Sequence, residues 1–482
     1  MLPDVALLEI FDCYVNQARE EEGDDKRWVQ IQAWRTLAHV CRKWRTTVLG
    51  SPRRLNLRLF CKETTPVKET LAVWPPLPIV IGQHNPPYKG LDNIITALEH
   101  NDRVCDIRLS VFANSELEEV FAAMQQPFPA LTHLELSLWN RGDLGWEDGM
   151  PEEEPLVAPE SFLGGFAPFL QHLYLQHVPF PGLPKLLLSA ADLVSLCLFE
   201  IPHSGYISPE AMVCCLSTLT RLESLTLAFK SPLSRRVRET QRSHPPIRSA
   251  LPALLVFQFE GVSEYLEDLV ARIEAPLLDR FDIRFFHQLI FDTPQLAHFV
   301  TRTSNTEPPV EARVVFSHSD VVVSSPGPRS FSLGISCRQL DWQLSSLTEV
   351  CNSSFPKAFI STVEHLYISG AKYWQDDIED SQWLEVLHPF MAVKYLYLSR
   401  AFAPCIALAL QEIAGEVLPS LQHLFLDLHP LPPGLVQGAL VKFVAARQLD
   451  VSYWDSEQGE CEEPTDGSFG GTGRGLKATN SR

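Results

Sequence analysis

The stretches that decide the fold are six-residue segments of one pattern, such as LTHLEL at residues 131–136, LQHLYL at 170–175 and LESLTL at 222–227. Each has apolar residues at its first, fourth and sixth positions. Because side chains alternate along a strand, the fourth and sixth residues point to the same face. The pattern therefore predicts a short strand that buries two apolar side chains and leaves the flanking residues on the opposite face.

Ten such segments occur along the chain, and their central apolar residues lie at positions 107, 134, 173, 196, 225, 257, 281, 366, 396 and 424. Successive centres are 23 to 39 residues apart, except for 85 residues between positions 281 and 366. Most of these intervals lie in or near the ~20–29 residues of leucine-rich repeats. The long interval has room for two degenerate units, which we expect around residues 313–317 and 331–337.

The segments between the strands read as helices or loops that return the chain to the start of the next strand. Residues 263–273 and 403–418, for example, have apolar spacing near 3.6. One strand and one return segment cannot bury their own apolar face, so the units must stack. We therefore expect an α/β solenoid of irregular leucine-rich-like repeats, with a concave parallel sheet that holds a target protein.

Composition excludes several other classes of protein. The chain has 482 residues, of which 45% are hydrophobic, and 40 basic against 59 acidic residues give a net charge of −19. A surface this acidic repels phosphate backbones and anionic lipids, so we expect no nucleic-acid partner and no membrane partner. We expect no secretory signal and hence reduced thiols in the cytoplasm, the nucleus or both. From about residue 455 the chain has too little apolar content to fold, and we expect a disordered tail over 455–482.

The first sixty residues differ from the remainder in charge and in periodicity. They carry a net charge of +2, whereas the remainder carries −21. Their apolar residues follow a helical period in two stripes, the first formed by Leu7, Ile10, Phe11, Tyr14 and Val15 and the second by Ile31, Trp34, Leu37, Cys41, Trp44 and Val48. Gly50 and Pro52 then predict the end of the second helix.

These two helices resemble an F-box, the module that attaches substrate receptors to SCF-type cullin–RING ubiquitin ligases. The likeness lies in Leu2-Pro3 ahead of LLEIF (residues 7–11), followed by VCRKWR (residues 40–45). The resemblance implies that the module docks onto a Skp-family adaptor through Leu2, Pro3, Leu8, Ile10, Val40 and Trp44. Two features depart from the pattern: the acidic connector over residues 19–27 is long, and the motif lies at the very start of the chain.

An F-box followed by irregular repeats resembles the large fungal (mushroom-type) families of F-box substrate receptors. Supporting phrases are PRRLNLRLF (52–60), FDTPQLAHF (291–299), CRQLDWQLSSL (337–347), WLEVLHPF (383–390) and FVAARQL (443–449). We therefore predict an F-box over 1–54, a linker, first repeat or cap over 55–100, and repeats over 101–454. The resemblance implies a non-catalytic subunit without a cofactor, which binds an unidentified target on its concave face.

Two other classes of protein remain open from the sequence. The first is a repeat scaffold with no ligase role, whose N-terminal helices only cap the solenoid and pack Leu2, Pro3 and Trp44 inward. The second is an enzyme with a site assembled across the repeats, although the sequence carries no recognised catalytic motif. The most suggestive pattern is a histidine before the central leucine of four repeats, at 133, 172, 365 and 423. We expect His133 and His172 to be neighbours on the concave face. The repeat consensus explains why these histidines recur, without a functional role.

Overall fold

The computed structural model describes most of the chain and forms two compact units. The described residues are 2–16, 33–82, 91–139, 154–232, 248–288, 291–303, 309–326, 330–353, 360–370, 380–399, 402–412, 417–427 and 435–454. The first unit comprises residues 1–288, 292–305 and 328–331, and the second comprises 289–291, 306–327 and 332–482. The tail over 455–482, which the sequence predicts to be disordered, lies outside the described residues.

The first unit begins with three helices that pack on its first strand. Helix α1 spans Asp4–Asn16, α2 includes residues 33–40, and α3 spans Arg42–Leu49. Strand β1 (Leu59–Cys61) follows. The helices and the strand share one apolar core, formed by Leu7, Phe11, Trp34, Leu37, Ala38, Val48, Leu55, Leu57, Leu59 and Leu77. A hydrogen bond from the Trp34 indole to the Arg58 carbonyl (3.0 Å) fixes the same junction. The helical module is therefore joined to the sheet through its core.

The second predicted helix is wrong in one respect, because it is broken into α2 and α3 at Cys41. Cys41 is extended (φ −159°, ψ 168°), and its Sγ accepts a hydrogen bond from the backbone N–H of Trp44 at 3.5 Å. A side chain that caps a helix in this way satisfies one of the backbone donors left free at its start. The predicted end is confirmed, since α3 stops at Leu49 and Gly50 caps it.

The first unit contains one long parallel sheet. Its strands are β1, β2 (Ile79–Gly82), β3 (Val104–Val111), β4 (His133–Leu138), β5 (His172–Gln176), β6 (Ser195–Ile201), β7 (Ser224–Phe229), β9 (Val256–Gly261) and β11 (Arg280–Phe286). They lie in that order, and each pairs in parallel with the next. A separate parallel pair joins β8 (Ser249–Ala250) to β10 (Ile273–Glu274). Strands β1 and β2 extend the sheet into the stretch 55–100.

Helices return the chain between these strands, as the apolar spacing predicts. They are α4 (Val67–Val73), α5 (Leu91–Leu98), α6 (Asn114–Ala123), α7 (Leu183–Ser189), α8 (Pro209–Leu216), α9 (Ser263–Val270) and α10 (Pro294–Thr303). Short 3₁₀ turns occur at Phe162–Gly165 and His203–Gly205. Among the helices of the described ranges, none has the length and apolar character needed to cross a bilayer.

The repeat register agrees with the sequence template. Across β3 to β11 the central residues are aligned strand to strand as Ile107, Leu134, Leu173, Leu196, Leu225, Phe257 and Phe281. All of them are buried. The residues on either side of each central position are mostly half-buried and face away from this core. The predicted α/β class and the buried repeat positions are therefore confirmed in this unit.

Seven strands are described in the second unit, and the repeat pattern did not predict two of them, at residues 320–325 and 450–454. In order, its strands are β14 (Phe331–Ser336), β13 (Asp320–Ser325), β12 (Glu311–Phe316), β15 (His365–Gly370), β16 (Tyr395–Leu398), β17 (His423–Asp427) and β18 (Asp450–Trp454). Strand β13 pairs antiparallel with β12, whereas β12, β15, β16, β17 and β18 are parallel. Residues 317–319 between β12 and β13 form only a tight reversal. Because this connection is so short, β12 and β13 pair as an antiparallel hairpin. Parallel neighbours would need a longer crossover connection.

The helices of the second unit are α11 (Leu340–Ser353), α12 (Asp380–Leu387), α13 (Ala403–Glu412) and α14 (Leu435–Arg447). The central residues Leu366, Leu396 and Leu424 are aligned across β15 to β17 and are buried. The predicted degenerate units correspond to β12 and β14, so the long interval in the repeat pattern contains strands as expected.

Candidate protein-binding surfaces

The six residues to which the resemblance assigns adaptor binding lie together in the N-terminal helical module. Leu2 and Pro3 precede α1, Leu8 and Ile10 lie on it, Val40 ends α2, and Trp44 lies on α3. Leu2 (54%), Ile10 (50%) and Val40 (57%) are exposed large apolar side chains, and Pro3 is exposed as well. Leu8 and Trp44 are half-buried and pack against the core of the module.

Val5 and Tyr14 are further exposed apolar residues of this module. The apolar spacing of α1 puts Tyr14 and Ile10 in a single stripe with Leu7 and Phe11, but of these four only Leu7 and Phe11 are buried. Helical spacing identifies apolar residues without showing how wide the covered stripe is. Five of the nineteen exposed large apolar side chains among the described residues lie before residue 51. Exposed apolar side chains are thus concentrated in this module.

Two basic side chains hold the start of the chain against the rest of the module. The Lys43 ammonium group donates a hydrogen bond to the Leu2 carbonyl at 3.0 Å and lies 3.2 Å from the Asp4 carboxylate. Farther along, Arg54 donates to Glu9 on α1. These contacts are exposed, so each is weak by itself. Together they link the first residues and α1 to α3 and to Arg54, which follows it.

Trp44 has one face in the module core. Its ring centroid lies 4.8 Å from that of Phe11, which is fully buried. The scaffold alternative predicts that Leu2, Pro3 and Trp44 all pack inward, but Leu2 and Pro3 are exposed. The guanidinium carbon of Arg35 lies 5.9 and 5.7 Å from the ring centroids of Trp34 and Trp74. Burial there lowers the pKa of its guanidinium, and the nearby Cys61 partly offsets this effect.

The outward-facing positions of the first unit's sheet are mainly polar. The residues directly after the central ones are Arg108, Glu135, Tyr174, Cys197, Thr226, Gln258 and Asp282. Hydrogen bonds link them across strands, from Thr226 to Gln258 (3.0 Å) and from Gln258 to Asp282 (3.3 Å). Burial raises the pKa of Tyr174 to about 12 and that of Cys197 to about 11. Both groups are therefore neutral at physiological pH.

The predicted histidine neighbours are confirmed in the first unit. The rings of His133 and His172 stack with centroids 4.3 Å apart, on paired strands. The Thr132 hydroxyl lies 2.8 Å from His133 Nδ1. Over the described residues, no three or more His, Cys, Asp and Glu side chains gather as a metal site would require. The repeat register accounts for the stack, because His133 and His172 are paired residues of adjacent strands.

A polar cluster at the carboxyl ends of β5, β6 and β7 was not anticipated from the sequence. His177 is buried, its Nε2 lies 3.4 Å from the Lys230 ammonium, and its Nδ1 lies 4.0 Å from the Glu200 carboxylate. His177 and Glu200 both adopt left-handed backbone conformations, with φ of 59° and 51°. Glu200 also accepts a hydrogen bond from Gln176 at 3.1 Å. The members satisfy one another, which explains how an imidazole can be buried where these strands end.

In the second unit the same outward positions are aromatic. On β15, β16 and β17 they form two rows of stacked rings, which we call the aromatic rows: His365, Tyr395 and His423 in one, and Tyr367, Tyr397 and Phe425 in the other. Neighbouring centroids are 4.4 and 4.9 Å apart in the first row and 4.0 and 4.4 Å apart in the second. All except Tyr397 are partly exposed. Burial lowers the pKa of His365.

Comparisons with known proteins leave the family open. No protein-family model matches the chain, and no curated protein sequence matches it. Among solved structures, it is similar to the leucine-rich repeat-containing protein LegL7 from Legionella pneumophila, with 13% identity and a TM-score of 0.27 over 71% of this chain and 91% of that one. A TLR13–ssRNA13 complex gives 12% identity and a TM-score of 0.28 over 82% of this chain and about half (49%) of that one.

Proposed function

We propose that this chain is a protein-interaction scaffold that serves as the substrate receptor of an SCF-type ubiquitin ligase. In this proposal the N-terminal module binds a Skp-family adaptor, and through it cullin and RING subunits. The outward face of the repeat strands binds a target protein. The proposal places the chain in the cytoplasm, the nucleus or both.

The observation that carries the proposal is the set of exposed apolar side chains on the N-terminal module. Leu2, Val5, Ile10, Tyr14 and Val40 remain in water although the core beneath them is complete. Exposed apolar residues scattered singly are normal, but a concentration of them marks an interaction site. The resemblance of the Leu-Pro motif and the later VCRKWR segment to an F-box is the reason for proposing a Skp-family adaptor as the partner.

The proposed role requires no catalytic residue on this chain. The receptor holds a target near a conjugating enzyme, which raises the effective concentration of the acceptor lysine at the ubiquitin thioester. The polar groups of the outward face support this view, because many of them are hydrogen-bonded to one another. Because these polar groups already use their hydrogen-bonding capacity within the sheet, we expect the outward face to bind a target through shape and charge.

One observation favours a second function, that of a repeat scaffold with no ligase role. The helical module shares its core with β1, and the Trp34 indole donates across that junction. A cap at the end of a solenoid is built in this way, because it must cover the apolar end of the first repeat. Capping alone does not explain why Leu2 and Pro3 are exposed.

Binding to the Skp-family adaptor of the same organism tests the proposal. The full chain would be compared with a Leu2→Ala/Pro3→Ala variant and with Val73→Ala, a matched loss of an exposed apolar side chain outside the module. We expect the wild type and the Val73 variant to retain the adaptor and the double variant to lose it, with unchanged circular dichroism. Absence of binding by the folded wild type would leave the scaffold function. Trp44→Ala is a weaker test, because Trp44 also packs on Phe11.

A further inference from the structure

The aromatic rows are not required by the repeat fold. In the first unit the positions that precede the central residues are Asp106, His133, His172, Ser195, Ser224, Val256 and Arg280. The positions that follow them are equally varied. The same strand geometry therefore accepts charged, polar, small and aromatic side chains. The six rings on three consecutive strands of the second unit are therefore not a consequence of the repeat geometry. An aromatic surface of this kind is typical of a binding site.

One end of the aromatic rows is already occupied by an arginine of this chain. The Arg313 guanidinium carbon lies 5.2 Å from the ring centroid of Tyr367, and Arg313 Nε donates to the Glu311 carboxylate at 2.8 Å. Both residues lie on β12, in register with β15. A guanidinium is suited to this position, because its plane stacks on a ring while its N–H groups pair with a carboxylate.

The other end has the ring and the carboxylate, but its neighbouring strand carries a serine in place of the arginine. On β18, Asp450 is in register with His423, and Ser452 is in register with Phe425. Asp450 thus corresponds to Glu311, and Ser452 stands where β12 has Arg313. The Asp450 side chain is 81% exposed and lies 3.6 Å from His423 Nδ1. Ser452 is 7% exposed and Phe425 is half-buried, so the most accessible group at this end is the Asp450 carboxylate.

Charge favours a basic occupant at this end. Around the rows, Arg313 pairs with Glu311 and Lys394 pairs with Glu364 (2.7 Å), so each of these basic groups already has a carboxylate. Asp450 adds a further negative charge at the β18 end of the rows. A cation brought by a partner would meet an aromatic ring and a carboxylate together.

We propose that Phe425 and Asp450 receive an arginine side chain from an extended basic segment of the target protein, in the way that Tyr367 and Glu311 receive Arg313. The inference rests on the target-binding part of the proposed function and is independent of adaptor binding. It gives the target a chemical class, a segment with exposed arginine, and it places the contact at the last strands of the second unit.

Fluorescence anisotropy with a labelled peptide of five Gly-Ser-Arg repeats tests the proposal on the full chain. The matched probe is the peptide of five Gly-Ser-Lys repeats. We expect the arginine peptide to bind at least about fivefold more tightly, since lysine pairs with carboxylates but stacks less well on rings. We expect Asp450→Asn to weaken binding by about tenfold and Phe425→Leu by about fivefold. Asp192→Asn, which removes an exposed carboxylate in the first unit, should change binding by less than about twofold.

Several results would overturn the proposal. Undetectable binding of the arginine peptide, equal binding of the lysine peptide, or normal binding by the Asp450 and Phe425 variants would each do so. Self-association of the wild type that Asp450→Asn abolishes, detected by light scattering, would make a second copy the occupant instead. Adaptor binding is measured on the same variants and should be unchanged. If the wild type failed to bind the adaptor but still preferred the arginine peptide, the ligase role alone would be overturned.

Discussion

Replacing Ile10 and Val40 together by serine should weaken adaptor binding without weakening the fold. Full burial of such an aliphatic side chain is worth about 1.5–3 kcal/mol. In the free chain Ile10 and Val40 are 50% and 57% exposed, so roughly half of that, about 1 kcal/mol each, remains available to a partner. The double variant should therefore lose about 2 kcal/mol of binding free energy, which corresponds to a dissociation constant about thirtyfold higher.

Isothermal titration of the Skp-family adaptor into each variant measures this loss. Exposed substitutions usually change folding free energy by about 0.5 kcal/mol or less, so the urea midpoint of the double variant should be close to that of the wild type. Val73→Ser provides the control, since Val73 is even more exposed but lies on α4. If the wild type binds and the double variant binds within about threefold of it, the exposed residues do not form the adaptor contact. An equal loss in the Val73 variant would point to a nonspecific apolar effect.

Three further predictions concern the fold. Glu267 accepts backbone hydrogen bonds at the start of α10, including one from Leu296 at 2.7 Å. The free energy of unfolding should therefore fall by about 2–3 kcal/mol in Glu267→Ala and by about 1 kcal/mol in Glu267→Gln. Amide exchange at Leu296 should accelerate more in the alanine variant than in the glutamine variant, and equal rates in the two would contradict the capping role. Burial raises the pKa of Cys351 to about 12, whereas Cys13 is exposed, so iodoacetamide at neutral pH should label Cys13 and spare Cys351 in the folded chain, as mass spectrometry can show. Burial lowers the pKa of His365 from its ordinary value of 6.5, which means that the unfolded chain takes up the proton first and stability falls as the pH drops below about 6.5. His365→Phe should reduce this dependence of the urea midpoint on pH, and an unchanged slope would refute it.

The buried part of the repeats could be predicted from the sequence because the template is repeated many times. Each copy adds an independent sign that the fourth and sixth residues are buried, and the register of Leu134 with Leu173 and Leu196 follows once the strands stack. The same reasoning predicts His133 beside His172, and their rings do stack. Local periodicity and stacking are sufficient for these features, because every unit solves the same packing problem.

Features that occur once could not be predicted in this way. The antiparallel strand β13 depends on a reversal between β12 and β13, and its apolar pattern is that of any strand. The break at Cys41 depends on one side chain capping α3, within a stretch whose periodicity continues across the break. The exposure of Tyr14 depends on how far the core covers α1, which is a property of the neighbouring elements. Each was decided by a tertiary or capping contact that has no counterpart in the repeat.

The division between repeated and unrepeated positions also indicates where specificity lies. Positions that face the core are restricted to large apolar residues, because each must fill the space between strands and helices. The flanking positions carry no such restriction, as the series from Asp106 to Arg280 shows. A scaffold of this kind can therefore change its partner without changing its fold. The aromatic residues of β15, β16 and β17 occupy such unrestricted flanking positions, and the arginine site that we propose at Phe425 and Asp450 tests whether these positions determine specificity.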